Sequence, residues 1–209
     1  MENNSRSMED IKAIRKLMEE STRFLSLSGL SGISAGAVAL AGAAVAYFLI
    51  PDVQGSGDYI NQPAAPVGWP LAWKLIAVAS AVLILAVVSA VFFSVRKARK
   101  DRKNFWSPAM KRLLVNLLIP LATGGIFCIL LLVRHNAGLI IPSMLIFYGL
   151  ALVNAGKFTY GEIFYLGLLE IITGMAAILF PEQGLLLWAA GFGLLHIIYG
   201  AAMYRKYEA

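Results

Sequence analysis

Six long apolar stretches determine what this chain can fold into. They lie at about 27–50, 71–95, 109–133, 138–155, 161–180 and 184–204. A bilayer core about 30 Å thick takes about 20 helical residues, so each stretch is long enough to span it. Unpaired backbone amides are excluded from hydrocarbon, and these runs lack the alternation of barrel strands. The sequence therefore predicts an all-α, polytopic transmembrane bundle of six helices, occupying residues 27–209.

Composition excludes an ordinary soluble domain. Of the 209 residues, 59% are hydrophobic and 14% are charged, which is far from the usual balance of soluble proteins. The single cysteine, Cys128, lies inside the third apolar stretch, so neither a disulfide framework nor metal-type cysteine spacing is present. There is also no helical zinc motif, P-loop or dinucleotide fingerprint. We therefore predict no metal and no cofactor.

The positions of the basic residues predict the orientation of the bundle. Lys and Arg cluster in the first 26 residues, at 96–112, at Lys157 and at Arg205 and Lys206, whereas only Lys74 and Arg134 fall near the opposite ends of the spans. Short loops rich in Lys and Arg stay in the cytoplasm. Both termini are therefore predicted to be cytoplasmic, which agrees with an even number of spans.

The N-terminal segment, residues 1–26, is predicted to be a cytoplasmic amphipathic helix. Its apolar residues, among them Met8, Ile11 and Met18, fall near one helical stripe, with charged residues elsewhere. Such a helix either docks on a protein partner or lies on the inner leaflet against membrane lipids. The sequence leaves both readings open. Nucleic-acid binding is not predicted, because no basic folded face or known motif is present.

The first span carries a face of small residues. Gly32 and Gly36 form a GxxxG step, and Ala39 and Ala43 continue it. Small residues let another helix approach closely. The neighbour is either another helix of the same chain or a second copy in a homo-oligomer, and the sequence does not choose between them.

Two similar octets stand near the C-terminus. "GLLEIITG" occupies 167–174 and "GLLHIIYG" occupies 193–200. In each octet the two glycines, Gly167 with Gly174 and Gly193 with Gly200, are seven residues apart and so share a helix face suited to close packing.

The octets also align a carboxyl group with an imidazole. Glu170 stands where the second copy has His196, and both lie near the bilayer midplane if Pro181 begins an external turn. Ionisable groups at that depth usually face the bundle interior and find partners. We predict an interior hydrogen-bonded pair of Glu170 and His196, with Thr173 and Tyr199 as further hydroxyl partners. A structural clasp, a proton-linked site and catalysis remain alternatives.

One short string points to an enzyme. Gly29-Leu30-Ser31-Gly32 matches the GxSG string of rhomboid proteases, which also use a histidine on a later helix. Here Ser31 falls near the cytoplasmic end of its span and His196 nearer the midplane, whereas a nucleophile and its base need hydrogen-bond reach. The string therefore does not predict a protease, and we expect no enzyme.

The chain also resembles known membrane proteins. Residues 147–208, from "FYGLALVNAG" to "HIIYGAAMYRKYE", together with "STRFLSLSGLSG" at 21–32, resemble a family of uncharacterised bacterial six-span inner-membrane proteins. The Gly-bounded hairpin helices with a central proline resemble, more distantly, the HdeD-type acid-resistance membrane proteins. The resemblance implies a helical bundle in the bacterial inner membrane and no catalytic or binding residue.

From these features we expect a non-enzymatic structural, regulatory or stress-response membrane component. The alternative is a small proton-linked transporter or channel that uses Glu170 and His196. The two differ in what they need at the midplane: a transporter needs a wetted route to Glu170 from both sides, and a clasp needs a dry site.

Overall fold

The computed structural model describes residues 23–49 and 69–209, and within them the chain is helical without strands. Its elements are α1 (Gly29–Leu49), α2 (Trp69–Lys100), α3 (Pro108–Val133), a 3₁₀ turn (Ala137–Leu139), α4 (Ile140–Gly156), α5 (Gly161–Leu179), a second 3₁₀ turn (Pro181–Gln183), α6 (Gly184–Trp188), a π-helix (Ala189–Leu195) and α7 (His196–Tyr207). We call the continuous stretch Pro181–Tyr207 the last span. Within the described ranges, six helices are long and apolar enough to cross a membrane, which confirms the predicted fold class.

Local sequence explains where several helices begin and end. The Ser107 hydroxyl accepts a hydrogen bond from the backbone nitrogen of Met110, and Pro108 occupies the first turn of α3, where its missing N–H is no loss. Pro181 opens the 3₁₀ turn with which the last span begins. After α2 and α3 the chain turns through Arg102 and His135, both with positive φ.

The predicted amphipathic helix at 1–26 lies mostly outside the described residues, which begin at 23. Residues 23–28 are non-helical and lead directly into α1. The loop at 50–68 also lies outside the described part. The transmembrane region itself follows the predicted spans closely, although α2 runs on to Lys100, beyond the predicted end at 95.

The six spans form a row across the bundle. α2 packs on α1, α1 packs on the last span, the last span contacts α5 and α4, α5 packs on α4, and α4 packs on α3. The peripheral α2 and α3 expose large apolar side chains such as Leu83, Ile84 and Ile129. Exposure of this kind suits a hydrocarbon surround. The most buried charged side chain among the described residues, Glu170 at 0% exposure, lies on the central α5.

The small-residue face of α1 packs on the last span of the same chain. A β-carbon added to Gly36 would lie 2.5 Å from the carbonyl oxygen of Gly193 and 2.7 Å from Cγ1 of Ile197. One added to Gly32 would lie 3.0 Å from the Cα of Gly200. A larger residue at either position would therefore force the two helices to shift. The GxxxG face is thus occupied within the chain, and a homo-oligomer would need a different surface.

The first octet forms its seam with α4. A β-carbon added to Gly149 would lie 2.6 Å from the carbonyl oxygen of Gly167 and 2.7 Å from Cγ1 of Ile171. One added to Gly174 would lie 2.7 Å from Cγ1 of Ile146. The glycines of the two octets therefore pack on different helices, and the final hairpin itself has no glycine seam among these contacts.

The two seams share their central contacts. In each, a glycine faces the carbonyl oxygen of an octet's first glycine and the isoleucine four residues later: Gly36 with Gly193 and Ile197, and Gly149 with Gly167 and Ile171. Likewise the backbone nitrogen of Ile33 faces Gly200, and that of Ile146 faces Gly174. The pair formed by α1 and the last span is thus equivalent to the pair formed by α4 and α5.

Equivalent helices of the two pairs run in opposite directions. α5 and the last span are antiparallel, because Glu162 bonds Lys206 at one end while Glu170 meets His196 further along. Each helix pair is also antiparallel internally. The two pairs are therefore related by about half a turn around an axis perpendicular to the helices, and Glu170 and His196 occupy equivalent positions on the two sides of that axis.

Candidate functional site at the centre of the bundle

Glu170 is fully enclosed in the middle of α5. Its side chain has 0% exposure, and it lies against the backbone of Gly191 in the π-helix. A β-carbon on Gly191 would lie 2.5 Å from Oε2 of Glu170 and 2.6 Å from Cδ2 of Leu145. Only glycine leaves room for the carboxyl group at this point.

The carboxyl group meets His196 across the interface between α5 and the last span. Oε1 of Glu170 lies 3.4 Å from Nδ1 of His196, slightly beyond the usual 2.7–3.2 Å of an N–H···O bond. Neither carboxyl oxygen has a hydrogen-bond partner among the described residues. Buried polar groups normally have one, and an orphaned pair of oxygens requires an explanation.

His196, by contrast, has a partner at each ring nitrogen. Nδ1 lies 3.1 Å from the carbonyl oxygen of Gly191, which only accepts, so Nδ1 carries the hydrogen. Nε2 lies 2.7 Å from the hydroxyl of Tyr148. In the neutral imidazole Nε2 accepts from that hydroxyl, and in the imidazolium it donates to it.

Aromatic rings cover the pair on the side of α4 and the last span. The Tyr148 ring lies 4.9 Å from that of Phe192 and 5.4 Å from that of His196, centroid to centroid. Trp188 continues the stack at 5.1 Å from Phe192. Together with the 0% exposure of Glu170, this packing encloses the centre.

The two predicted hydroxyl partners are not with Glu170. The Thr173 hydroxyl donates to the carbonyl oxygen of Leu169, one turn back along its own helix. Tyr199 packs instead against the cluster of Leu152, Tyr160, Ile163, Leu166 and Met203. The prediction of Thr173 and Tyr199 as partners is therefore wrong. A threonine hydroxyl in a helix has the carbonyl oxygen one turn back as a local acceptor, and Thr173 bonds that oxygen in place of Glu170.

Tyr148 is the residue that sequence reasoning missed. It lies on α4, far from either octet, and it reaches His196 because α4 crosses beside the last span. The sequence feature that could have indicated it is its position: Tyr148 precedes Gly149 in the middle of a short apolar helix. A buried phenol in such a helix usually needs a polar partner.

The π-helix places His196 at the centre. It spans Ala189–Leu195 and ends directly before His196. π-helical turns are rare and are frequent at functional sites. Here the wider turn brings the Gly191 carbonyl oxygen to the imidazole and the Gly191 backbone to the carboxyl group.

A second polar cluster lies at the basic end of the bundle, by which we mean the end that carries the α2–α3 turn and the C-terminus. Lys97 is only 7% exposed. Its Nζ lies 2.9 Å from the carbonyl oxygen of Leu27, 3.2 Å from the Tyr160 hydroxyl and 3.4 Å from Oε1 of Glu208. A buried ammonium needs such partners, since an unpaired one is costly.

Glu208 caps the start of α1 from the other end of the chain. Its carboxylate accepts from the Ser28 hydroxyl at 2.9 Å and from the backbone nitrogen of Gly29. A negative charge at a helix N-terminus is favourable, because the first N–H groups are otherwise unpaired. The C-terminal tail thereby ties the first span to the last.

Tyr160 completes this cluster between α4 and α5. Its hydroxyl donates to the Leu25 carbonyl oxygen. Burial, followed by the nearby Tyr207 and Glu208, raises the pKa of Tyr160 to about 12, so the phenol remains a donor at neutral pH. The cluster holds the non-helical residues 23–28 against the bundle.

The GxSG string has no catalytic geometry. The Ser31 hydroxyl donates to the carbonyl oxygen of Ser28, and the imidazole of His196 is engaged by Tyr148 and Gly191. The Ser31 hydroxyl therefore serves as a local hydrogen-bond donor in the first turn of α1. Across the described residues there is likewise no group of three or more His, Cys, Asp or Glu side chains placed to hold a metal ion.

Comparison with known proteins gives no relative. No family model, no curated protein and no solved structure matches this chain. The resemblances to uncharacterised bacterial inner-membrane proteins and to the HdeD type therefore stay predictions.

Proposed function

We propose that this chain is a non-enzymatic membrane component, structural, regulatory or stress-responsive, whose bundle is closed by the polar centre of Glu170, His196 and Tyr148. The six apolar helices fit an integral membrane protein. The observation that carries the proposal is the 0% exposure of Glu170 against Gly191 and Leu145. An enclosed, filled site suits a clasp between helices, and the described residues leave Glu170 no exposed surface.

The clasp acts between the two inverted helix pairs. Glu170 belongs to the α4–α5 pair, and His196 belongs to the pair of α1 and the last span. Tyr148 adds a hydrogen bond across the same interface. In an apolar surround a polar group that leaves its partner gains no compensating bond from lipid, so polar contacts of this kind fix one arrangement of the helices.

A double-mutant cycle tests the clasp. Unfolding of the purified protein in detergent is measured for the wild type, Glu170→Gln, His196→Ala and the double variant. A clasp predicts that the two losses in unfolding free energy are not additive, with a coupling of about 0.5–3 kcal/mol, because the groups are in contact. Additive losses would mean that the two residues act independently.

A matched control separates this effect from general damage to the helix. Thr173→Ala lies one turn from Glu170 and removes a hydroxyl that bonds its own helix. Its loss should be small and additive with that of His196→Ala.

The orientation and the cellular location belong to the same proposal. Lys97, Tyr160 and Glu208 meet at the basic end, so the C-terminus lies at the same end as the α2–α3 turn. We assign this end to the cytoplasm by the positive-inside rule, in a bacterial inner membrane. A C-terminal reporter that is active only in the cytoplasm tests the assignment, and an inactive but expressed fusion would reverse it.

Partners follow from the same orientation. Membrane lipids surround α2 and α3, and the N-terminal segment is the proposed contact for a protein partner or for the inner leaflet. Cross-linking from a cysteine introduced at Met18 distinguishes a protein partner from the inner leaflet, because a protein partner gives an adduct of defined mass.

A second candidate function is proton-linked transport. It is favoured by the two carboxyl oxygens without a described partner and by the adjoining π-helix. Intramembrane carboxyl groups and histidines serve as proton relays in many transporters. Proton flux into proteoliposomes under an imposed pH gradient, wild type beside Glu170→Gln, tests it. Proton flux that disappears in the variant would support transport. No proton flux in the wild type would argue against transport and favour the structural clasp.

A further inference from the structure

We propose that the Glu170 carboxyl is a proton-binding site at the interface between two inverted helix pairs, and that these pairs separate far enough to open it. This goes beyond the structural role, because it adds a ligand, the proton, and a movement. It also does not require transport, since a proton can bind and leave from one side.

Each helix pair is built to move as a unit. Within the pairs the glycines bring the two backbones into direct contact, as between Gly36 and Gly193 and between Gly149 and Gly167. Between the pairs every contact described at the centre involves a side chain: Tyr148 bonds His196, and Glu170 lies against the backbone of Gly191. Side-chain contacts rearrange more readily than glycine seams, which lock two backbones together.

The inverted relation places the site at a characteristic position. When two halves of opposite direction pack in a membrane, ion sites of known transporters lie near the midplane between them. Here Glu170 and His196 are three residues after Gly167 and Gly193, so they are equivalent positions. A carboxyl group and an imidazole thus meet where the two halves meet.

Hydrogen bonding at the centre is incomplete on one side only. His196 uses both ring nitrogens, on Gly191 and Tyr148. Glu170, at 0% exposure, has both oxygens without a hydrogen-bond partner in the described part of the chain. An unpaired carboxylate there is costly, whereas a bound proton removes the charge. The carboxyl group is therefore the place where a proton binds.

The titratable groups around Glu170 are few. His196 faces it from the last span at 3.4 Å, and Tyr148 on α4 stands behind that ring. α1 carries no Asp, Glu, Lys, Arg or His between Gly29 and Leu49. Proton binding at the centre is thus governed by Glu170 and His196 together, and their titration belongs to the pair.

The test is labelling of the wild-type protein with dicyclohexylcarbodiimide, a lipid-soluble reagent for protonated carboxyl groups. The acid adds across a C=N bond: its proton goes to nitrogen and its oxygen bonds to the central carbon. Transfer of the acyl group from oxygen to nitrogen then gives a stable N-acylurea. No atom leaves, so the labelled peptide gains the mass of the whole reagent.

The full-length protein is labelled in lipid vesicles at a series of pH values, and peptides are analysed by mass spectrometry. We expect a label on Glu170, with a rate that falls about tenfold per pH unit on the alkaline side, as the protonated fraction does. Glu182 at the opposite end and Glu208 at the basic end serve as internal controls, because they lie outside the proposed site. Glu170→Gln should lose the label.

Each result has a definite meaning. No label on Glu170 at any pH in the folded wild type would overturn the proposal, because the site would then never open. A label independent of pH would overturn it as well, because no proton would be exchanging. A pH-dependent label on Glu170 without proton flux would support the proton-binding site and argue against transport. Proton flux without a label on Glu170 would overturn the proposed site.

Discussion

The hydroxyl of Tyr148 lies 2.7 Å from Nε2 of His196, and this bond joins the α4–α5 pair to the pair of α1 and the last span. The two residues are far apart in sequence and belong to helices of the opposite halves. Their bond fixes the imidazole so that Nδ1 points toward Gly191 and Glu170. The orientation of the whole polar centre depends on it.

Tyr148→Phe should therefore destabilise the protein. It removes the partner of Nε2 and leaves a buried nitrogen unpaired, at about 1–3 kcal/mol. The measurement is the free energy of unfolding in detergent. Tyr165→Phe is the matched control, since Tyr165 is 60% exposed. Equal effects of the two substitutions would show that the Tyr148 bond contributes nothing.

Gly191→Ala should be costly for a steric reason. Its β-carbon would lie 2.5 Å from Oε2 of Glu170 and 2.6 Å from Cδ2 of Leu145, so the site would have to expand. Overpacking of this kind costs about 1–3 kcal/mol. Gly125→Ala, where the added carbon meets nothing within 4 Å, should be neutral or slightly stabilising, because alanine favours helix. Thermal unfolding of both variants decides the point.

Gly36→Ala and Gly149→Ala should have similar effects. The added β-carbons meet a carbonyl oxygen at 2.5 and 2.6 Å and an isoleucine Cγ1 at 2.7 Å in both seams. Each should lose about 1–3 kcal/mol. A large loss at one position with none at the other, measured by unfolding, would contradict the equivalence of the two helix pairs.

Glu208→Gln should loosen the basic end. It removes the charge that faces the buried Lys97 and weakens the cap on Gly29. Leaving a buried charge without its counter-ion costs about 1–3 kcal/mol or more. Glu182→Gln, in the exposed turn at the other end, is the matched control. Limited proteolysis near residues 23–28 reports the loosening directly, and unchanged cleavage in the Glu208 variant would speak against the cap.

The first octet shows how much of the site could be predicted from the sequence. Its apolar run fixes a helix, and the turn at Pro181 places Glu170 and His196 at matching depths on adjacent antiparallel spans. Depth and direction follow from the length of each run, because a helix rises by a constant amount per residue. The predicted meeting of carboxyl group and imidazole rests on this regularity.

What lies beside a residue in the bundle does not follow from its own helix. Thr173 had a carbonyl oxygen available one turn back, and Tyr148 reaches His196 only because α4 crosses at that level. Glu208 finds Gly29 and Lys97 because the first and last spans are neighbours in space. No periodic pattern in the sequence indicates any of these contacts.

The sequence by itself determined the six spans, the clustering of bases and the small-residue faces, since each depends on runs and spacings within one helix. The tertiary structure alone decided which glycine face meets which, that the two seams are equivalent and inverted, and that Glu170 is left with unpaired oxygens against Gly191. Those outcomes depend on the order and rotation of helices across the bundle. In a surround as apolar as the helices themselves, close packing and a few polar contacts set that arrangement.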